Sequence, residues 1–377
     1  MKKAILFPVT GYHGPEYFCD REEELKALLN NASSGQSTTI MSIRRMGKTG
    51  LIQHFFYTLD QDYKGIYLDI LHTESLSDFL NILATAIIKA IPQKSSVGKK
   101  IWSFIQSIRP NLSFDQLSGN MKVSFDISRT EDVKTEISSL FSLLEDQEFT
   151  SIIAIDEFQQ ILSYSEKNCE AWLRTIVQSL KNVVFIFSGS EYHVMNQLFT
   201  NPQKPFFRST SIMELKPIEK SVYARFIVEK FTSRKRKINN EVATEILDWN
   251  LTHTFYVQQL CSRIYMADHP AVTTEVWKSE AEKLLKEQDA IFYNIRELLT
   301  PAQWKLLKAV ASETRIYAVT SKDFIGRYQL ESSAAVLRSL KSLMKKEMIC
   351  SLWDEDGKRY YRLYDVQLMR WIQHLGM

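Results

Sequence analysis

Up to about residue 215, short and mostly apolar runs alternate with stretches of helical period. The runs at 38–42, 65–69, 151–156 and 183–188 are nearly continuous in apolar character. Strands covered on both faces of a parallel sheet read this way, whereas half-exposed strands alternate. Helical patterns lie between them, so the spacing predicts an α/β domain with a mostly parallel sheet. Asp20-Arg21-Glu22-Glu23-Glu24-Leu25 predicts a helix start, with Asp20 as N-cap and acids in the first turn. The stretch 111–128 differs. Residues 112–115 and 123–126 alternate around Ser118-Gly119-Asn120, which predicts a β-hairpin inserted between a helix and the next strand.

From 221 to 289 the pattern is helical only, with helices expected at 222–232, 240–249, 256–266 and 274–288. The basic run Arg234-Lys235-Arg236-Lys237 falls in a connection and reads as a solvated loop. Beyond it, Thr300-Pro301 predicts a capped helix start with Trp304, Leu306, Leu307 and Val310 on the apolar face. A second start falls at Thr320-Ser321-Lys322-Asp323, and a third helix spans 332–347. Strands at 350–353 and 360–363 then flank a charged tip, Asp354 to Arg359. Three helices and a hairpin make a winged helix-turn-helix. The expected domains are a core over 1–217, a helical lid over 218–292 and the winged helix over 293–377.

Composition adds limits more than content. The chain has 377 residues, 45% of them hydrophobic, which is enough for packed cores. A net charge of +3 is too small to argue for nucleic acid by itself. Cys19, Cys169, Cys261 and Cys350 are scattered, with no C-x-x-C pair to hold zinc or run redox chemistry. The opening apolar run stops at Pro8, and no stretch approaches the ~18 apolar residues of a membrane span. A cytoplasmic protein without a membrane partner is expected.

The chemistry concentrates in Ser42-Ile43-Arg44-Arg45-Met46-Gly47-Lys48-Thr49, set between a predicted strand and a predicted helix. This is the phosphate-binding loop G-x-x-x-x-G-K-[ST], with serine in place of the first glycine. Gly47 lets the backbone curl around phosphate oxygens, and successive N–H groups cradle the anion. Lys48 faces the β- and γ-phosphates, and Thr49 offers a hydroxyl to Mg²⁺. The nucleotide contacts expected are Arg44, Arg45, Met46, Gly47, Lys48, Thr49 and Gly50. Ser42 is sterically worse than glycine where the chain leaves the strand, but the site should survive it.

A second element supports the first. Ile152-Ile153-Ala154-Ile155-Asp156-Glu157 is an apolar strand ending in two acids, 107 residues beyond Thr49. Asp156 would hold Mg²⁺ through water, and Glu157 would polarise the attacking water as general base. A third strand ends in Ser188-Gly189-Ser190, where Ser188 is the candidate to reach the γ-phosphate or the water and Ser190 the weaker one. Arg208 is a candidate for transition-state charge, with Arg44 and Arg45 as others. The residues leave ATP and GTP both open.

Taken together, these residues resemble the archaeal-type ATPases, within the STAND branch of AAA+-related P-loop NTPases. The likeness is carried by Phe18-Cys19-Asp20-Arg21-Glu22-Glu23-Glu24-Leu25, by the paired Arg44-Arg45 of the loop and by Tyr67-Leu68-Asp69. It continues through Ile155-Asp156-Glu157-Phe158-Gln159, Ser188-Gly189-Ser190 and Phe207-Arg208. Residues 251–258 resemble the family's G-x-P-F-Y-x-Q stretch, with Thr252 and Thr254 where the glycine and proline stand. The resemblance implies a P-loop core with a helical lid and a C-terminal winged helix. It also implies ATP over GTP, Mg²⁺, slow hydrolysis to ADP and a switch between nucleotide states.

Arg338, Lys341 and Lys345 on the third helix of the winged helix, with Arg359 on the wing, are the candidate contacts to double-stranded DNA. The stripe Leu337, Leu340, Leu343 and Met344 should face inward. With Lys358, Arg359 and Arg362 counted on the wing, basic residues exceed acids by three over 332–362, although Asp354, Glu355 and Asp356 lie on the wing and would repel phosphate. Two other readings stay open. One is a DNA-binding regulator whose nucleotide site is structural. The other is a scaffold that docks a protein partner or a second copy of itself.

Overall fold

A computed structural model of the chain describes residues 5–114, 119 and 121–375. It forms two compact units, one from Thr10 to Pro217, the other from Ile218 onward with the segment up to Val9.

In the first unit the order is α1 (Glu22–Ser33), β1 (Thr38–Met41), α2 (Lys48–Thr58), β2 (Tyr63–Asp69), α3 (Leu76–Ala90) and α4 (Ser96–Ser107). The hairpin β3 (Asn111–Phe114) and β4 (Met121–Ser124) follows, then α5 (Thr130–Glu145), β5 (Thr150–Asp156), α6 (Cys169–Ser179), β6 (Val183–Gly189), α7 (Tyr192–Thr200) and β7 (Ser211–Glu214). Five strands form one sheet in the order β2-β5-β6-β1-β7, parallel at every pairing. All of β6, and β5 from Ser151 onward, are buried, which accounts for their unbroken apolar runs. The core is mainly aliphatic around β2 and α3, with Phe79 among it, and aromatic where Phe158, Phe187, Phe199 and Phe206 meet.

Three expectations shift in this unit. The edge strand β7 is unannounced in the sequence: it has four residues and is nowhere fully buried, too short to show a period. The start of α1 is capped by Arg21, in the left-handed region, and not by Asp20. The hairpin pairs Leu112 with Val123, and its expected turn at Ser118 and Asn120 lies outside the described residues.

The second unit holds α8 (Lys220–Ser233), α9 (Asn240–Trp249), α10 (Thr254–Met266), α11 (Thr274–Glu287), α12 (Asp289–Glu297), α13 (Pro301–Glu313), α14 (Lys322–Arg327) and α15 (Ser333–Lys345). The wing β8 (Ile349–Trp353) and β9 (Arg359–Leu363) pairs antiparallel, and α16 (Val366–Leu375) closes the described chain. Thr300 caps α13 in a reciprocal capping box with Gln303. Ser321 and Ser332 cap α14 and α15. Leu307, Val310, Leu340, Leu343, Met369 and Trp371 share one core. The short α12 and the terminal α16 are additions to the predicted plan. Among the described residues no helix is long and apolar enough to cross a membrane, and no disulfide joins the four cysteines.

Candidate nucleotide-binding site

The sheet order places β6 between β1 and β5. The C-terminal ends of these three strands therefore lie side by side, where open α/β sheets bind ligands. The loop after β1 turns through Arg45 (φ 63°) and Gly47 (φ 98°), and Lys48 begins α2. Only glycine takes φ near 98° without strain, so Gly47 is fixed by backbone geometry. Ser42 is different. It is buried, and its φ is not positive, so a Cβ is tolerated there. Its hydroxyl donates to Ile43 O at 3.0 Å. A Cβ at Gly50 would meet nothing within 4 Å, so no steric demand explains that glycine.

Lys48 is buried, and its Nζ donates to Ser42 O, Ser42 Oγ and Ile43 O, each at 3.3 Å. These are neutral acceptors at long range. Burial pushes the ammonium down to about 8, against the pull of the Asp156 and Glu157 charges and with a smaller push from Arg44. A cation so placed fits an incoming anion. Arg44 and Arg45 are exposed on the loop, and Met46 is buried beneath it.

Asp156 gathers hydroxyls from three elements. Thr49 Oγ1 and Tyr67 OH donate to Oδ2 at 2.6 and 2.8 Å, and Ser188 Oγ donates to Oδ1 at 2.5 Å. Charge-assisted bonds of this length are the strong ones. Tyr67 sits on β2, whose last residue, Asp69, is the register partner of Asp156. Burial, then the Asp156 carboxylate, raises the Tyr67 phenol. The Asp69 carboxyl is raised chiefly by burial, with the Asp156 and Glu157 charges adding to it. Thr49 and Asp156 supply hard oxygen donors of the kind Mg²⁺ takes. Glu157 follows in the left-handed region (φ 58°), and its Oε2 accepts from Ser190 N, Ser190 Oγ and Gln159 Nε2.

The structure thus brings Lys48, Thr49, Asp156, Glu157 and Ser188 together. Arg208 stands apart: it is exposed, and its guanidinium rests 5.3 Å from the Phe207 ring centre. Sequence reasoning gave Tyr67 and Gln159 no role; both lie inside the quoted motifs, which was the available signal.

In the other unit, Arg338, Lys341 and Lys345 are exposed on α15, and Arg359 is exposed on β9 with Nε donating to Ser351 Oγ at 2.5 Å. Two expectations change. Leu337 is 44% exposed and shares the basic face, while Val336 takes the inward position. Arg362 is 5% exposed, so it is not a wing cation, and the surface excess of cations over 332–362 falls to two. Asp354 is occupied within the wing, accepting from Lys358 N at 2.7 Å. Within 251–258 Thr252 has φ 54°, the conformation a glycine would take freely, and His253 is buried at the cap of α10.

No curated protein sequence matches the chain. Among solved structures, the Walker-type ATPase PABY2304 of Pyrococcus abyssi superposes with a TM-score of 0.67 at 18% identity, covering 98% of this chain and 99% of that one. The ORC2 protein of Aeropyrum pernix, solved as ADPNP–ADP complexes, gives a TM-score of 0.58 at 13% identity, covering 99% and 98%. These likenesses bear on the fold, a parallel-sheet P-loop ATPase followed by a winged helix. A family described as an ATPase domain predominantly from Archaea matches residues 18–252, and a winged helix domain family matches 290–374. The chain belongs to this predominantly archaeal ATPase family and carries a winged helix domain after its ATPase domain.

Proposed function

We propose that the chain binds ATP with Mg²⁺ at the loop 42–49 and hydrolyses it slowly to drive a switch between nucleotide states. The observation that carries this reading is the convergence of Lys48, Thr49, Asp156 and Ser188 at three neighbouring strand ends. Family membership and the ADPNP–ADP complexes of the A. pernix relative support ATP. Backbone N–H groups at the start of α2, with Arg44 and Arg45 beside them, take the phosphates. Lys48 turns from the Ser42 and Ile43 carbonyls to the β- and γ-phosphates. Thr49 and Asp156 hold Mg²⁺, whose charge offsets that of the phosphates when bound.

In the hydrolytic step, Glu157 accepts a proton from a water as its oxygen bonds to the γ-phosphorus. The bond from that phosphorus to the bridging oxygen breaks, with its electron pair going to ADP. The proton then passes from Glu157 to solvent or phosphate. Ser188 Oγ holds Asp156 in place and lies near where the γ-phosphate would arrive. Arg208 is given no step, since its side chain rests on the Phe207 ring. Equilibrium ATP binding by the Lys48→Ala variant tests the site: retained affinity overturns it.

A role on double-stranded DNA rests on the exposed Arg338, Lys341 and Lys345 face of α15. The reading of a regulator with a silent nucleotide site draws on Thr252 and Thr254, which stand at the lid positions of glycine and proline. Phosphate release with and without duplex DNA separates the two.

A further inference from the structure

We infer that Ser190 and Gln159 are positioning residues that fix one oxygen of Glu157 so that the other is presented to the attacking water. This rests on the reading of Glu157 as general base given above. Among the described residues, the hydrogen bonds that Glu157's carboxylate accepts converge on Oε2: from Ser190 N at 3.1 Å, Ser190 Oγ at 2.7 Å and Gln159 Nε2 at 2.6 Å. None of the described residues donates to Oε1. A carboxylate anchored through one oxygen keeps its orientation and its proton-accepting atom, which is what a positioned base requires.

The surroundings are built for this arrangement. Glu157 adopts a left-handed backbone that a non-glycine residue seldom takes, which turns the chain out of β5 and into the turn carrying Gln159. Gln159 is 6% exposed, and its Oε1 has no hydrogen-bond partner. A buried amide oxygen without a donor is unfavourable, so the side chain is held where its Nε2 serves Glu157 and its other end goes unmet. Gly189 makes the space. Its φ is not positive, so its backbone does not demand glycine, yet a Cβ there would lie 2.2 Å from Gln159 Oε1 and 2.7 Å from Met195. The glycine between Ser188 and Ser190 therefore has a mechanical purpose: it lets Gln159 close over β6 onto the base. Arg44 Nη2, on the phosphate loop, reaches Ser190 Oγ at 3.5 Å, which places the anchor beside that loop.

The test is steady-state hydrolysis and equilibrium ATP binding on the full chain for Ser190→Ala, Gln159→Leu and Ser190→Thr, each also in a Glu157→Gln background. Ser190→Ala and Gln159→Leu should each lower kcat about tenfold, with ATP affinity within twofold of the parent. Ser190→Thr, which keeps the hydroxyl, should restore most of the rate. In the Glu157→Gln background neither loss should add to the first. Unchanged or raised kcat in both single variants overturns the inference, as does a loss of equal size in the Glu157→Gln background. Failure of Ser190→Ala to fold leaves Gln159→Leu and Ser190→Thr to decide. Full turnover by Glu157→Gln alone would instead remove the general-base reading, a separate outcome.

Discussion

Thr49 Oγ1 donates to Asp156 Oδ2 at 2.6 Å, joining the first turn of α2 to the end of β5 across 107 residues of chain. This bond occupies the two atoms that would face Mg²⁺. Metal binding must therefore redirect the Thr49 proton, and the hydroxyls of Tyr67 and Ser188 keep Asp156 aligned while that happens.

Lys48→Ala should weaken ATP on the order of 100-fold, about 2.7 kcal/mol, by equilibrium titration with a fluorescent analogue. Its melting temperature should not fall, since a buried cation without a carboxylate partner contributes little to stability.

Affinity should also depend on pH. Burial holds Lys48 down at about 8 in the nucleotide-free protein, against a usual value of 10.5. Phosphate binding needs the protonated amine, so ATP affinity should fall as pH rises through about 8, with protons taken up on binding above it. For folding the sign is opposite. Between about 8 and 10.5 the unfolded chain binds more protons at this residue, so its contribution to stability rises with pH there. Calorimetric titrations at pH 7 and 9, in buffers of different ionisation enthalpy, read the uptake directly.

Tyr67→Phe removes one charge-assisted bond to Asp156, worth about 1.5–3 kcal/mol, and should raise the Mg²⁺ concentration needed for half-maximal hydrolysis several-fold. Nucleotide affinity without metal should be unchanged. A magnesium titration of activity checks the first and equilibrium ATP binding in EDTA the second, and an unmoved magnesium midpoint counts against Tyr67 as the support of Asp156.

Thr252→Gly should stabilise the unit that begins at Ile218. A β-branched residue at φ 54° carries roughly 1–2 kcal/mol of strain, partly offset by the greater unfolded-state freedom of glycine. A gain near 1 kcal/mol raises the melting temperature by about 2–4 °C in a unit of this size.

If α15 meets duplex DNA, replacing Arg338, Lys341 and Lys345 together by alanine should flatten the dependence of log affinity on log salt by about 2 to 3 units. Arg362→Met should leave that slope alone, because Arg362 is buried. Fluorescence anisotropy across a salt series measures both.

Much of the fold was legible because local signals agreed with the tertiary result. The unbroken apolar runs became β5 and β6, buried along almost their whole length, and Thr300, Ser321 and Ser332 cap the helices they announced. β7 was illegible because a four-residue edge strand shows no period. Arg362 was misplaced because alternation along a wing strand does not tell which face meets the core. At the site, Lys48 and Asp156 followed from motif spacing. The tasks of Tyr67 and Gly189 did not, because each depends on a contact between segments distant in sequence, and that of Gln159 depends on a turn that brings it back onto Glu157. Ser42 looked like a steric defect, yet its backbone does not require glycine and its hydroxyl contacts Lys48.

The most direct test is single-turnover phosphate release from Mg²⁺-ATP by the wild-type chain and Glu157→Gln, with bound nucleotide quantified in the same samples. The expected result is slow conversion to ADP by the wild type, and retained ATP with a rate lower by about 10²-fold or more in the variant. Absence of bound ATP in the wild type, or equal rates in the two proteins, would contradict a hydrolytic site built on Lys48, Asp156 and Glu157.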